Sequence, residues 1–240
     1  MYPNIAVNEQ KLEQWSPYKI LAWAVRTFGQ EIVMSSSFQQ QSLALLHIVS
    51  QVAPELPVLF VDSGHHFPET LAFKEQITRQ FGLNVIDLHP AMSPKEQEAE
   101  YGPELWKHQP DLCCYLNKVE PMQNALRAYR AWITGIRRDQ SAHRAHAKVV
   151  EVRKDGLIKV NPMVMWTQAD VWRYIESHHL PTHPLYARGY KSIGCAPCTQ
   201  PTGKGSGERA GRWPGRRKTE CGLHTVLRVD RPARPCPALK

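Results

Sequence analysis

Long apolar runs are missing from this chain of 240 residues: no stretch approaches the roughly 18 uninterrupted apolar residues of a membrane span. The opening MYPNIAVNEQKLEQW lacks both the basic stretch and the apolar core of an export signal. The expectation is a soluble, cytoplasmic protein. Cysteine is scarce, with six residues in all. That is too few for a disulfide-built fold at this length, and clustered thiols in a cytosolic protein more often bind metal or react. Internal repeats are absent. At 42% hydrophobic and 22% charged residues, collagenous, mucin-like and wholly disordered classes are excluded.

Acidic residues are also rare toward the end. From Thr199 to Lys240 ten basic residues face only Glu208, Glu220 and Asp230, so this segment carries +7 of the net +8. A basic face spread over a whole domain would suggest nucleic acid, whereas a basic segment beside cysteines suits a smaller anion. Proline is frequent from Thr225 onward, where a mobile tail is expected, and Cys236 among those prolines is read as incidental.

What is present is an alternation of short apolar runs and helical patterns. Strands are expected at 31–34, 57–62, 84–88 and 131–134, and helices at 12–26, 41–52, 67–81, 116–129 and 167–178. A hairpin is expected over 148–160, turning at Asp155 and Gly156. This order predicts βαβ units and a parallel-sheet, three-layer α/β domain over 1–198, with a basic C-terminal segment over 199–240.

Ligands of such sheets bind beyond the carboxyl ends of the strands. Three loops there are small, polar or basic: Ser35, Ser36, Ser37 and Gln39 after the first strand; Asp62, Ser63 and Gly64 after the second; and Gly135 to Ser141, with Arg137 and Arg138, followed by Arg144. Serines at a helix start also serve as ordinary caps, and arginines as surface ion pairs, but guanidinium forks suit phosphate-like oxyanions. Cys113-Cys114 and Cys195-x-x-Cys198 form two close pairs. Four thiolates can ligate zinc or an iron-sulfur cluster, and the vicinal pair favours the cluster. A redox disulfide within Cys195-x-x-Cys198 is the competing reading. Cys221 stands alone among Lys218, His224 and other basic residues, which favour its thiolate.

Together these features resemble the assimilatory sulfonucleotide reductases, which reduce adenylylsulfate (APS) or its 3′-phosphorylated form (PAPS). The resemblance rests on the two cysteine pairs, Glu220-Cys221-Gly222-Leu223-His224, the three loops, and Glu208-Arg209-Ala210-Gly211-Arg212-Trp213, and spans about residues 30 to 224. It implies a sheet similar to that of the adenine nucleotide α-hydrolases. It further implies a [4Fe-4S] cluster on Cys113, Cys114, Cys195 and Cys198, with Cys221 as nucleophile. Lys118 would lie between cluster and substrate, and Arg209, Arg212 and the other loops would hold the phosphosulfate, with His224 beside them. Thioredoxin as reductant and a homo-oligomer are implied as well, with no membrane or nucleic-acid partner. The Ser-Ser-Phe loop resembles PAPS enzymes, whereas the four cysteines characterise the APS branch and carry more weight. APS is therefore the implied substrate, with PAPS or dual use as alternatives. A tRNA sulfur transferase fits less well, because the Ser-Gly-Gly-x-Asp-Ser loop is replaced by Ser37-Phe38-Gln39-Gln40-Gln41-Ser42. An iron-sulfur nucleic-acid sensor would leave Cys221 idle.

Overall fold

The computed structural model describes residues 9–203 and 205–225. The expected mobile tail beyond Thr225, and Cys236 within it, lie outside the described residues. Six strands, β1 (Ile32–Ser35), β2 (Val58–Val61), β3 (Val85–Leu88), β4 (Ala131–Ile133), β5 (Val150–Val152) and β6 (Ile158–Val160), form one sheet in the order β3-β2-β1-β4-β6-β5. All neighbours are parallel except the β5–β6 hairpin. The helices are α1 (Glu9–Glu13), α2 (Pro17–Phe28), α3 (Leu43–Val52), α4 (Pro68–Phe81), α5 (Pro94–Tyr101), α6 (Leu105–His108), α7 (Pro110–Cys114), α8 (Glu120–Leu126), α9 (Gln168–Ser177) and α10 (Pro184–Ala187).

Strand side chains alternate between two faces, and each face has its own core. Ile32, Met34, Val58, Phe60, Ala131 and Ile133 pack under α2, α3, α4 and α9. Val33, Leu59, Val61 and Trp132 turn the other way, against Met122 and Leu126 of α8. Burying strands on both faces explains their nearly unbroken apolar composition. The three-layer α/β expectation is met.

Helix boundaries differ from expectation where proline or a backbone irregularity intervenes. The pattern over 12–26 is split at Ser16-Pro17, because a residue before proline avoids the helical region; Ser16 then caps α2. The helix expected at 116–129 begins earlier, at Pro110, and ends at Leu126. Between α7 and α8 it passes through one wider π-type turn, Tyr115–Val119, without breaking. Gly82 ends α4 in the left-handed conformation that glycine favours, as its position suggests.

Candidate active site

The sheet order reverses between β1 and β4, and the loops leaving these strands bound one cavity at the carboxyl end. Ser35 closes β1 by accepting from Trp132 Nε1 at 2.8 Å. Phe38 then adopts φ +50°, unusual for a bulky residue, and is fully buried edge-on to Phe60 with centroids 5.7 Å apart. Burial of that ring holds the strained turn, leaving Ser36, Ser37 and Gln39 on the cavity wall. Gln39 is fixed from both ends: its Nε2 donates to Ser37 Oγ at 3.1 Å and its Oε1 accepts from Ile193 N at 3.0 Å. Gln41 Oε1 accepts from Arg137, while its Nε2, also buried, has no partner among the described residues.

The expected arginines after β4 divide into three roles. Arg137 is wholly buried and donates to Asp139, Gln41 and Glu208 at 2.8–2.9 Å. It braces the cavity from behind rather than lining it. Arg138 is a correction: it turns away to Glu13 and the Ala147 carbonyl, the ion-pair role that a surface arginine commonly takes. Arg144 does line the cavity. The second loop is likewise corrected. Asp62 accepts from Gly64 N, and Gly64 abuts Pro94. Ser63 is buried with its Oγ 3.3 Å from Cys195 Sγ, so this loop serves the cysteines, and His66 just beyond it reaches the cavity. Burial, aided by Lys118, lowers the His66 imidazole to about 4. It is therefore neutral, donating Nε2–H to the Val61 carbonyl at 2.9 Å.

The far wall comes from the basic segment. Thr199 pairs with Arg212, and Trp213 N donates to the Cys198 carbonyl at 3.0 Å, which folds residues 199–213 back on the second cysteine pair. Arg212 lies over the Trp213 ring at 4.5 Å, with Arg209 and Lys218 nearby. Cys221, Leu223 and His224 complete the lining. His224 stacks on Trp132 with centroids 5.2 Å apart, and burial together with Arg144 and Lys159 holds it well below the ordinary imidazole value. Glu220 accepts from Arg144 at 2.8 and 3.0 Å, from Arg209 at 3.2 Å and from Ser141 at 3.2 Å.

A second cavity adjoins the first and is lined by Cys113, Cys114, Cys195 and Cys198 together. No disulfide joins any of the four. Lys118, Arg212 and Trp213 line both cavities and form the wall between them. Burial pushes the Cys113 thiol up to about 11 and Cys114 up to about 12. Cys195 goes the other way: burial opposes its ionisation, but Lys118, Ser63 and Arg212 outweigh it. Among the described residues no three His, Cys, Asp or Glu side chains converge on a point suited to one metal ion. Four thiols lining one cavity are, as chemistry, the donor set that a four-iron cluster takes, one per iron. Asn117 Nδ2 lies 3.6 Å from Cys113 Sγ, so two of the four sulfurs have a side-chain hydrogen-bond neighbour, Asn117 or Ser63, of the kind that tunes such ligands. The donor set fits the group.

Sequence reasoning missed Gln41, His66, Trp213 and Glu220 as cavity residues. Glu220 carried a signal, an acid inside a basic run next to the lone thiol, whereas His66 and Gln41 are placed by loop geometry that no pattern encodes.

Fold and site define an α/β protein with a ligand cavity at the strand-order switch. The same architecture occurs in an FMN adenylyltransferase from Candida glabrata, with TM-score 0.58 and 18% identity over 90% of this chain and 78% of that one. Residues 31–201 match the phosphoadenosine phosphosulfate reductase domain model. An adenosine 5′-phosphosulfate reductase of Streptomyces coelicolor is 45% identical over 216 residues, covering 90% of this chain and 91% of the relative. A phosphoadenosine 5′-phosphosulfate reductase of Gloeobacter violaceus is 43% identical over 233 residues, covering 92% and 97%. The crystal structure of a PAPS reductase from Candida auris has TM-score 0.70 and 30% identity over 81% of this chain and 98% of that one. The chain belongs to the sulfonucleotide reductase family, whose members are oxidoreductases acting on sulfur. No helix among the described residues is long and apolar enough to cross a membrane.

Proposed function

We propose that this protein reduces APS to sulfite and AMP with thioredoxin as electron donor. The observation that carries the reading is the placement of Cys221 in one cavity with Lys118, Arg144, Arg209 and Arg212, at the carboxyl ends of β1 and β4. A thiol beside four cations suits attack on an anionic sulfur centre, because the cations offset the repulsion between nucleophile and substrate.

The Cys221 thiolate attacks the sulfate sulfur, an S–S bond forms, and the bond from sulfur to the bridging phosphate oxygen breaks. AMP departs with that electron pair, its charge stabilised by the arginines. Cys221 is left as an S-sulfonate. A thioredoxin thiolate then attacks Cys221 Sγ, sulfite leaves, and the partner's second thiol resolves the mixed disulfide. Both electrons come from the thioredoxin dithiol, so sulfite release needs no electron from a cluster. Arg137 acts indirectly, by fixing Gln41 and Glu208.

Cys113, Cys114, Cys195 and Cys198 would hold the [4Fe-4S] cluster. Bound there, it supplies a charged centre against the wall formed by Lys118 and Arg212. Lys118 keeps its proton: burial disfavours the charge, but the Cys195 and Cys221 sulfurs more than restore it. We assign the basic segment from residue 199 to the part that presents Cys221 first to nucleotide and then to thioredoxin. A cytoplasmic location and a homo-oligomer complete the proposal. The test is sulfite release from APS with thioredoxin, PAPS run in parallel. Before reductant is added, intact mass should show a sulfite-sized adduct on Cys221. Absence of both adduct and sulfite overturns the reading, and a higher kcat/KM for PAPS reassigns the substrate.

A further inference from the structure

The segment that carries Cys221 has little to hold it by backbone. Among the described residues, no backbone–backbone hydrogen bond ties residues 217–225 to the rest of the molecule. Its attachments are made through side chains: Lys218 to Asp111, Arg209 to the Thr219 carbonyl at 2.8 Å, His224 on Trp132, Leu223 against the core of Val33, Leu59 and Trp132, and Glu220. Glu220 makes the most of these contacts. It is 8% exposed, and its carboxylate receives two hydrogen bonds from Arg144, one from Arg209 and one from Ser141. Arg144 and Arg209 are cavity-lining cations, and a carboxylate on them occupies hydrogen-bonding positions that a phosphate or sulfate group would also seek.

We infer that Glu220 is a positioning residue that acts as an internal anion: it latches the Cys221 segment into the cavity through Arg144 and Arg209 and competes with the nucleotide for them. The inference rests on the proposed function for the nature of the nucleotide. The latch itself rests only on the contacts named. Buried ion pairs fix geometry well but gain little net energy after desolvation, which suits a contact that must yield to a ligand. Held by Glu220, the neighbouring thiol lines the cavity. With nucleotide on the same guanidinium groups the hold weakens, and the segment is free to leave once Cys221 has reacted.

The competition gives opposite signs to binding and turnover. In Glu220→Gln, which keeps the shape and removes the charge, AMP affinity measured by calorimetry should rise about tenfold as both arginines lose their internal competitor. Turnover of APS should fall about tenfold or more because Cys221 is less often in place. Alkylation of Cys221 by N-ethylmaleimide in the nucleotide-free protein, followed by peptide mass, should accelerate about tenfold. Glu220→Asp, which keeps the charge, should restore slow alkylation and weaker AMP binding at least in part. A cavity merely damaged by the substitution would bind AMP more weakly, and that result, or an unchanged alkylation rate, overturns the latch. Wild-type protein with no sulfite formation from APS would sink the proposed function instead, while leaving the alkylation and AMP results to decide the latch.

Discussion

On one side of Lys118, Arg212 and Trp213 lies a void lined by four thiols; on the other lies the cavity that holds the fifth, Cys221. The first is built rigidly. Cys113 and Cys114 sit in a helix running from Pro110 to Leu126, and Cys195 precedes and Cys198 ends a single 3₁₀ turn tied by Ala196 N to the His65 carbonyl at 2.7 Å. The second is closed by chain without regular structure, attached through ions, rings and Leu223. Four sulfurs are held by backbone-bonded elements, and one by a stretch attached through side chains.

Substitutions should separate the two sides. The largest effect is expected for Cys221→Ser: sulfite formation is abolished while iron content and visible absorption persist. Cys198→Ser should do the reverse at the level of colour, losing the visible absorption and the bound iron, and a variant that kept both would remove Cys198 from the ligand set. Gly194→Ala strikes the shared wall. A Cβ there would clash with the Arg212 guanidinium, which, as the flexible partner, must yield. Nucleotide affinity should drop about tenfold with little change in thermal stability, and calorimetry with AMP decides it.

The smallest effect concerns a buried histidine behind the wall of the first cavity, its Nε2 3.2 Å from Thr70 Oγ1. Burial lowers His183 to about 4; its Nδ1 accepts from Leu185 N, and its ring packs on Phe73. The folded protein therefore takes up this proton only near pH 4, whereas the unfolded chain takes it up near 6.5. The stability contribution is complete above pH 6.5 and is lost as pH falls toward 4, by an amount of the order of 3 kcal/mol. Denaturant titrations should show that slope, and His183→Asn, which preserves an acceptor, should flatten it.

Most of the scaffold was legible because short unbroken apolar runs, helical periodicity and glycine stops are local signals. Both edges of the β5–β6 hairpin follow from Asp155-Gly156, and Thr167 caps α9 as its position beside Asp170 suggests. The helix α5 was passed over although Ser93 and Glu96 form a capping box, because its face is almost wholly polar and offers no apolar period. The site was legible as chemistry and not as direction. Adjacent Arg137 and Arg138 are equivalent in sequence, yet one is sunk behind the cavity and the other points to Glu13. Likewise Ser36 faces the cavity while Ser63 faces a cysteine, a difference set by which layer each loop meets.

Leu223, two residues beyond Cys221, packs on the small core formed by Val33, Leu59 and Trp132. Whenever that stretch of chain lifts away, the back of the sheet loses part of its oily cover and water gains access to it. Each such excursion would be opposed by a hydrophobic restoring force that draws the thiol-bearing stretch back onto the sheet.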